Sequence, residues 1–298
     1  MDGLKKIIID TDIGDDADDA LAIALAVRSG VFDILGITTV FRNTYARAKI
    51  ASRLLSILDV HDVPVVPGVG HPIINEANTI TPPTQYFPEM ENAPILENVS
   101  AIEFLYEQIK KYPGEVTLVP IGPLTNIAML IRIHPDVIPM VKEIVMMGGA
   151  FYFHYDEWNM VCDPEASAIV FGSGIPIKAV GLDVTLKCPV TDELQNEINS
   201  FGTPLTDLLG KLLLHYRAER GRNTYLHDPL ALMTLTCPDL FEFKKESINV
   251  ELKGEHTRGM TFRKTKLGKS VVDEKSIEAA TTVKEAEAVE YFRHIILR

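Results

Sequence analysis

The stretch that decides the fold is Ile7-Ile8-Ile9-Asp10-Thr11-Asp12-Ile13-Gly14-Asp15-Asp16-Ala17-Asp18-Asp19, which joins an apolar run to six carboxylates. The three isoleucines predict a buried strand, because consecutive β-branched residues favour extended backbone. The next segment, Ala20 to Val27, is rich in small apolar residues and predicts a buried helix. The acids therefore lie on a strand-to-helix loop at the carboxyl end of a strand, where open α/β sheets bind ligands.

The six acidic residues of this loop repel one another at close range. Solvent, a helix N-terminus or a cation must offset that repulsion. Helix capping accounts for Asp15, Asp16 or Asp18 individually, but not for all six. The loop therefore predicts a bound divalent cation with oxygen ligands, and the alternative is an acidic loop exposed to solvent.

Composition limits the class of protein. With 298 residues, 46% of them apolar, the chain can bury a large core as one α/β domain or as two smaller ones. No repeat, low-complexity linker or domain boundary is visible, so we expect a single domain over residues 1–298. The formal net charge of −12 argues against binding of nucleic acid polymers but allows a metal-assisted site for small ligands.

Three further features concern the location of the protein. No stretch approaches the roughly 18 uncharged apolar residues of a membrane helix, so we expect no membrane partner. Residues 1–6 lead directly into the first strand and leave no room for a signal peptide. Three scattered cysteines, Cys162, Cys188 and Cys237, lack metal-ligand spacing and fit structural roles in a reducing compartment. We therefore expect a cytoplasmic protein.

Strand-like and helix-like segments alternate along the chain, which predicts a mostly parallel open sheet with helices on both faces. The strands expected after the first are 34–40, 63–68, 116–121, 143–147 and 177–182, with late antiparallel strands at 248–252 and 259–262. The expected helices are 46–58, 101–111, 125–133, 163–173, most of 191–220, 230–236 and a terminal helix at 282–297. Residues 70–98 show little periodicity and predict a long loop, which is either a functional lid or disordered.

Polar residues follow several of the predicted strands. Arg42 and Asn43 come after the second strand, and Gly122-Pro123 follows the strand at 116–121, where a Gly-Pro turn leaves carbonyls free. The other groups are Met147-Gly148-Gly149, Glu157-Trp158-Asn159, Asp163-Pro164-Glu165 and Leu226-His227-Asp228-Pro229. If these ends share one edge of the sheet, they form an oxygen-lined metal site beside one titratable imidazole.

Together these motifs resemble the nucleoside hydrolase family, the calcium-dependent N-ribohydrolases of the inosine-uridine type. That family opens with Asp-x-Asp-x-Gly, a short spacer and Asp-Asp-Ala, to which Asp10–Gly14 and Asp18–Ala20 are similar. The further matches occur in order over nearly the whole chain: Thr38-Thr39-Val40 with Asn43, Gly122 to Asn126, Met147-Gly148-Gly149, Glu157-Trp158-Asn159, Asp163 to Ala166, His227-Asp228-Pro229 and Val250 to Thr261. The spacer Asp15-Asp16-Ala17 is longer than the family's usual single residue, and Arg42 replaces the usual Gly. The resemblance implies a Rossmann-like α/β core.

The resemblance also implies hydrolysis of the N-glycosidic bond of ribonucleosides to free base and ribose. Cleavage gives an oxocarbenium-like sugar, so the site must stabilise positive charge, position water and help the base leave. By resemblance, Asp12, Asp19 and Asp228 hold Ca²⁺ together with the backbone carbonyl of Ile121, and the sugar 2′- and 3′-hydroxyls complete the coordination. A calcium-bound water oriented by Asp12 is then the nucleophile, and His227 is the general acid for the departing base.

The same resemblance assigns residues that contact the substrate. Asp18 accepts the 2′-hydroxyl with Asn43 beside it, while Asn159 and Glu157 bind the 3′- and 5′-hydroxyls. Asp10 orients its neighbours without touching the ion. The remaining substrate contacts expected are Met147, Trp158 and Tyr225. The family also forms homodimers and homotetramers, and either state is expected here.

Several of these residues have a purely structural alternative. The alternative for Asn43 is a turn cap, for Glu157 a solvated acid, and for Asp228 a helix cap before a proline. For His227 the alternative is a structural histidine, although an imidazole beside a metal carboxylate suits proton transfer. Asn126 is expected to be the N-terminal cap of its helix.

Three departures from the family pattern leave the preferred base open. Residues 150–156 lack the Asn that contacts the 5′-hydroxyl in relatives, so His154 or Tyr155 is a candidate to replace it. Residues 70–98 lack the His-Gly motif that covers the base, and His71 is expected to be an ordinary loop residue. The aromatic candidates to contact the base are Tyr86, Phe87, Tyr225 and Trp158, the last standing where Phe is usual.

Two other classes of function remain as alternatives. A phosphatase of the haloacid dehalogenase type also begins with a strand and Asp-x-Asp, but Gly14 stands where such enzymes place Thr or Val. A non-catalytic nucleoside- or sugar-binding protein on the same scaffold is the other alternative. Release of free ribose from a nucleoside, without release of phosphate from a phosphomonoester, distinguishes the three.

Overall fold

A computed structural model of the chain describes residues 3–298. Within this range the strands are β1 (Lys5–Thr11), β2 (Phe32–Thr39), β3 (Val65–Pro67), β4 (Thr117–Pro120), β5 (Glu143–Met147), β6 (Ile177–Val180), β7 (Phe241–Glu246), β8 (Ile248–Val250), β9 (Thr261–Arg263), β10 (Thr265–Lys266), β11 (Lys269–Ser270) and β12 (Ile277–Val283). The α-helices of the same residues are α1 (Asp18–Ser29), α2 (Thr44–Ile57), α3 (Ala101–Lys111), α4 (Thr125–Ile133), α5 (Trp158–Cys162), α6 (Pro164–Phe171), α7 (Leu182–Thr185), α8 (Asp192–Phe201), α9 (Pro204–Arg220), α10 (His227–Thr236) and α11 (Glu285–Ile296).

The main sheet has eight strands in the order β3-β2-β1-β4-β5-β6-β12-β7. Neighbouring strands are parallel except for β12 and β7, which are antiparallel. The chain runs outward from β1 to β3 and then returns to place β4 beside β1. The strand order therefore reverses between β1 and β4, at the position where open α/β sheets bind ligands. The predicted open and mostly parallel sheet is confirmed.

Helices cover both faces of the sheet, as predicted. Alternate side chains of β1 point to opposite faces: Ile7 and Ile9 belong to one apolar cluster and Ile8 to the other. The first cluster includes residues of α1, α2, α9, α10 and α11, and the second includes residues of α3, α4 and α6. Helix α1 is apolar on all sides from Ala20 to Ala26 and is buried. No α-helix within residues 3–298 combines the length and apolarity needed to span a membrane.

The C-terminal part of the main sheet differs from the prediction. No element is predicted at 241–246, where β7 forms, and the terminal helix predicted from residue 282 begins at Glu285 instead. Thr282 and Val283 end β12, because strand β12 inserts between β6 and β7 and pairs there with both. The predicted late antiparallel pair is confirmed as β8 and β9, which form a sheet of their own.

The 70–98 segment is irregular apart from one 3₁₀ turn at Pro88–Met90, and it packs on the acidic loop (residues 12–17). The backbone N–H of Gln85 donates to the carbonyl of Gly14 at 3.0 Å. Gly14 has φ +125°, and a Cβ on it would lie 2.6 Å from Pro83 Cγ, so only glycine fits there. Of the two expectations for this segment, the structure supports an ordered cover over the acidic loop.

Candidate active site

Three buried carboxylates meet beside the switch point of the sheet. Asp18 and Asp19 form the first turn of α1, Asp228 lies in the first turn of α10, and the two helices pack together. One oxygen atom of each carboxylate lies within 4.8 Å of the other two. The N-cap of α10 is Leu226, so the alternative that Asp228 caps this helix is wrong.

The electrostatics of this group call for a cation. Burial raises the pKa of Asp18, Asp19 and Asp228 well above the usual carboxyl range, and repulsion from neighbouring aspartates raises it further. The arginine ion pairs of the acidic loop involve Asp15 instead. A close set of buried oxygen ligands is the donor set that hard divalent cations prefer, so the residues present fit the expected metal.

Asp12 lies at the end of β1, next to the end of β4, and is not one of the three grouped carboxylates. A Cβ on Gly122 would lie 2.8 Å from Asp12 Oδ1, so the Asp12 carboxylate rests against the residue after Ile121. Burial raises the pKa of Asp12 to about 7, although the positive charge of Arg47 opposes the increase. The structure thus places Asp12 and Ile121 together at the switch point.

The Asp10 side chain is fixed by hydrogen bonds from residues of β2 and α4. Its Oδ1 accepts hydrogen bonds from Thr38 Oγ1 at 2.6 Å and from Asn126 Nδ2 at 2.7 Å. The expectation that Asn126 caps its helix is wrong, because the N-cap of α4 is Leu124 and the amide reaches to Asp10 and to the Thr39 carbonyl instead. Burial raises the pKa of Asp10 to about 7, and its buried Oδ2 has no hydrogen-bond partner among residues 3–298.

Asn159 joins the ends of β4 and β5. Its Nδ2 donates to the carbonyl of Ile121 at 2.9 Å and, more weakly, to that of Met147 at 3.4 Å. Glu157 is 3% exposed and accepts backbone N–H bonds from Gly149, Asn159 and Met160. The alternative of Glu157 as a solvated acid is therefore wrong. Burial raises the pKa of Glu157, against the effect of these N–H donors.

Asn43 and Trp158 are more exposed to solvent than the buried acids of the site. Asn43 caps α2 by accepting from the N–H of Ala46 at 3.0 Å, and its Nδ2 donates to the Ile80 carbonyl at 2.7 Å. The amide thus ties α2 to the 70–98 segment. The side chain of Trp158 is 52% exposed and meets the ring of Phe41 edge-on at 6.4 Å. Trp158 is therefore available to a ligand.

His227 precedes Asp228 in α10 and is held by a contact with α7. Its Nδ1 lies 2.7 Å from Thr185 Oγ1, and its ring centre lies 5.4 Å from that of Tyr225. Burial lowers the pKa of His227 to about 4, so the imidazole is neutral at neutral pH. Because Nδ1 is engaged by Thr185, Nε2 is the ring nitrogen left for a ligand.

Residues 7–290 match the family model of the inosine-uridine preferring nucleoside hydrolases. The chain belongs to this family. It is 37% identical over 276 residues to a pyrimidine-specific ribonucleoside hydrolase of Shewanella woodyi, covering 86% of this chain and 87% of that one. It is 36% identical over 279 residues to a probable uridine nucleosidase of Arabidopsis thaliana, covering 87% and 85%.

Solved structures agree with this assignment. A plant nucleoside hydrolase superposes with a TM-score of 0.86 at 25% identity over 98% of this chain and 99% of that one. A purine-preferring ribonucleoside hydrolase of Gardnerella vaginalis gives 0.85 at 28% identity, covering 98% of both chains. The resemblance found in the sequence is confirmed: the protein is a nucleoside hydrolase, an enzyme that cleaves the N-glycosidic bond of ribonucleosides. The phosphatase alternative is wrong.

Several residues around the nucleoside hydrolase site are not singled out by the sequence patterns. Thr11 Oγ1 donates to Asp19 Oδ1 at 2.5 Å, and Thr185 engages His227 as described above. Asp183 accepts the N–H groups of Phe151 and Tyr152 and so fixes residues 150–156. Small hydroxyl residues of this kind carry no sequence signal of their own, because only the fold brings them to their partners.

The other candidates for the base pocket take different positions. Tyr86 Oη donates to Glu91 Oε2 at 2.6 Å, and Phe87 packs against His215 of α9. The Tyr86 hydrogen bond therefore lies within the 70–98 segment, whereas Phe87 fastens the segment to α9. Tyr155 is 50% exposed beside Phe153 on the surface. Tyr225 lies in contact range of the predicted general acid.

Proposed function

We propose that this nucleoside hydrolase is a calcium enzyme that prefers pyrimidine ribonucleosides. The observation that carries the calcium assignment is the set of buried carboxylates beside the switch point, with Asn159 bonded to the Ile121 carbonyl and His227 next to Asp228 in the first turn of α10. In this proposal the sugar binds among the acidic groups, and the departing base lies at the imidazole of His227.

In this proposal Asp12, Asp19 and Asp228 hold the ion together with the carbonyl of Ile121. Calcium suits the site because it accepts many oxygen ligands in flexible geometry. When bound, the ion offsets the repulsion of the carboxylates and lowers the pKa of water. The carboxylate of Asp12 accepts the proton of the attacking water. Asp10 does not bind the ion, and its carboxylate holds Thr38 and Asn126 in place through hydrogen bonds.

The sugar is bound through its hydroxyl groups. Asp18 accepts a hydrogen bond from the 2′-hydroxyl, Asn159 binds the 3′-hydroxyl and Glu157 accepts from the 5′-hydroxyl. The negative charge of these buried groups stabilises the positive charge that develops on the ribosyl ring. The remaining substrate contacts that we propose are Asn43, Met147, Trp158 and Tyr225.

A panel of nucleosides tests the proposed activity and its base preference. The relatives named as pyrimidine-specific or uridine enzymes share 33–37% identity with this chain, which supports the preference for pyrimidines. We expect free ribose and base from uridine and cytidine, with lower kcat/KM for inosine and adenosine. Higher kcat/KM for inosine than for uridine would contradict the preference. Release of phosphate from a phosphomonoester, without ribose release, would contradict the activity.

We further propose that His227 takes the general-acid position at the leaving base and acts there as a hydrogen-bond donor. A neutral imidazole can donate a hydrogen bond from Nε2 that strengthens as negative charge develops on the base. His227→Ala is expected to lower kcat for uridine by about 10²- to 10³-fold, because general acids contribute in this range and water replaces part of the hydrogen bond. KM should change little, since the interaction forms mainly in the transition state.

A riboside with an activated leaving group separates this role from structural damage. p-Nitrophenyl riboside needs no proton on departure, so His227→Ala should cleave it at close to the wild-type rate. Thr185→Val serves as a companion variant, because it removes the partner of His227 Nδ1 and keeps the ring. It should show a smaller loss on uridine. Equal losses on both substrates in His227→Ala would show that His227 is structural.

A further inference from the structure

Arg47 is a completely buried arginine beneath the acidic loop. Its side chain is 0% exposed, although arginine is rarely buried without a set of partners. Nε donates to the Phe41 carbonyl at 2.7 Å, and Nη1 donates to the carbonyls of Asp12 and Ile13, the latter at 2.9 Å. One guanidinium group therefore binds two successive carbonyls of the acidic loop and the carbonyl of Phe41, two residues beyond β2.

Asp15 completes this arrangement. Its Oδ2 lies 2.8 Å from Arg47 Nη2 and 3.4 Å from Arg42 Nη1. Asp15 belongs to the Asp15-Asp16-Ala17 segment between Gly14 and the first turn of α1. The carboxylate supplies the countercharge that a buried guanidinium requires, and it orients the planar group toward the backbone carbonyls.

We propose that Arg47 and Asp15 are positioning residues for the metal centre, with Arg47 fixing the backbone of Asp12 and Asp15 fixing Arg47. The inference rests on the proposed function, because it takes Asp12 as a calcium ligand. Neither residue contacts the ion or the substrate in this proposal. Their effect is to keep the Asp12 carboxylate at the edge of β1, against Gly122. Residues that orient metal ligands typically contribute 10- to 100-fold to metal affinity.

Calcium affinity of the chelator-stripped enzyme tests the proposal by isothermal titration calorimetry. Arg47→Met is expected to weaken calcium binding about 100-fold and Asp15→Ala about 10-fold, the two ends of the range for residues that orient metal ligands. Arg47→Lys keeps the charge but cannot reach three carbonyls and a carboxylate at once, so it should resemble Arg47→Met. Lys49→Met is the matched control, since Lys49 lies on the same helix and pairs with Glu91 at the surface. It should leave the affinity unchanged.

A double variant shows whether Asp15 acts through Arg47. The Arg47→Met/Asp15→Ala protein should bind calcium no more weakly than Arg47→Met alone, because the carboxylate has then lost the group it orients. Additive losses would contradict the proposal and make Asp15 act on the ion directly. Circular dichroism and thermal melting identify folded proteins, and if Arg47→Met does not fold, Arg47→Lys and Asp15→Ala decide the question.

The remaining outcomes separate the inference from the proposed function. Wild-type affinity in Arg47→Met, Arg47→Lys and Asp15→Ala would overturn the positioning role while leaving the calcium site intact. A wild-type enzyme that cleaves uridine but binds no calcium would overturn the proposed function. In kinetic assays at saturating calcium, the variants should recover much of their kcat, because added ion compensates for weaker binding. A loss of kcat that calcium does not restore, together with wild-type calcium affinity, would contradict a role in calcium binding.

Discussion

Replacing Asp19 by asparagine is expected to lower kcat/KM for uridine by about 10³-fold, because a bound metal ion contributes several kcal/mol to the transition state and each 1.36 kcal/mol is tenfold in rate. Asparagine keeps the shape of the side chain and an oxygen for the hydrogen bond from Thr11. The charge that holds the ion is lost. Steady-state kinetics at several calcium concentrations, with calcium binding measured on the same protein, check the result. Asp62→Asn, at an exposed position, is the control and should behave like wild type.

The difference in melting temperature between the Asp19→Asn protein and wild type gives an independent test, because its sign should reverse when calcium is added. In the presence of a chelator the variant should melt above wild type, since one of three mutually repelling buried carboxylates is removed. With calcium at 100 times its dissociation constant, wild type gains about 2.7 kcal/mol and should melt above the variant. If the variant melts below wild type in chelator and retains wild-type turnover in calcium, Asp19 is not a metal ligand.

Discrimination against 2′-deoxynucleosides is the second large effect expected. Asp18 is 4% exposed, so a substrate without the 2′-hydroxyl leaves a buried carboxylate unpaired. Sites built to bind a hydroxyl reject the analogue without it by about 10⁴-fold. We expect uridine to exceed 2′-deoxyuridine in kcat/KM by this order. Equal values for the two substrates would contradict the assignment of Asp18.

The Asp18→Asn variant tests whether this residue is the source of the discrimination. A hydrogen bond to a charged group contributes about 1.5–3 kcal/mol, so removing the charge should reduce the ratio of the two kcat/KM values by about 10- to 100-fold. The change should come from lower kcat/KM on uridine, with little change on 2′-deoxyuridine. An unchanged ratio in a variant with normal calcium binding would show that another group recognises the 2′-hydroxyl.

The part of the site encoded by neighbouring residues can be predicted from the sequence. Strand β1, the acidic loop and helix α1 follow one another along the chain, and their apolar patterns mark their bounds within a few residues. The switch point follows from the alternation of strands and helices. Because the strand ends meet at one edge of the sheet, Asp12 and Ile121 could be expected to lie together, and the structure places them so.

Contacts between distant residues could not be predicted in the same way. Asn126 has the local signature of a helix cap, but its partner Asp10 is 116 residues away and is brought to it only by the pairing of β1 with β4. Strand β12 forms because β6, about 100 residues earlier, offers it an edge. Such contacts depend on the order of strands in the whole sheet, so the residues near them in sequence do not predict them.

The burial of Arg47 has a signature in the local sequence of α2. It stands three, four and seven residues before Ile50, Ala51 and Leu54, which are all buried on α2. A charged residue within such an apolar stripe must be paired inside the protein. Its partners are the backbone carbonyls of Phe41, Asp12 and Ile13 and the carboxylate of Asp15. The ion pair with Arg47 therefore explains the presence of Asp15 in the acidic loop without a contact to the metal.

The central claim is that buried carboxylates hold a calcium ion on which ribonucleoside hydrolysis depends. The most direct measurement is ribose release from uridine by enzyme stripped with a chelator and then titrated with calcium, alongside calorimetric calcium binding. We expect no detectable turnover without the ion, and recovery that follows the binding isotherm of one site per chain. Full turnover in excess chelator, with no bound calcium, would contradict the claim.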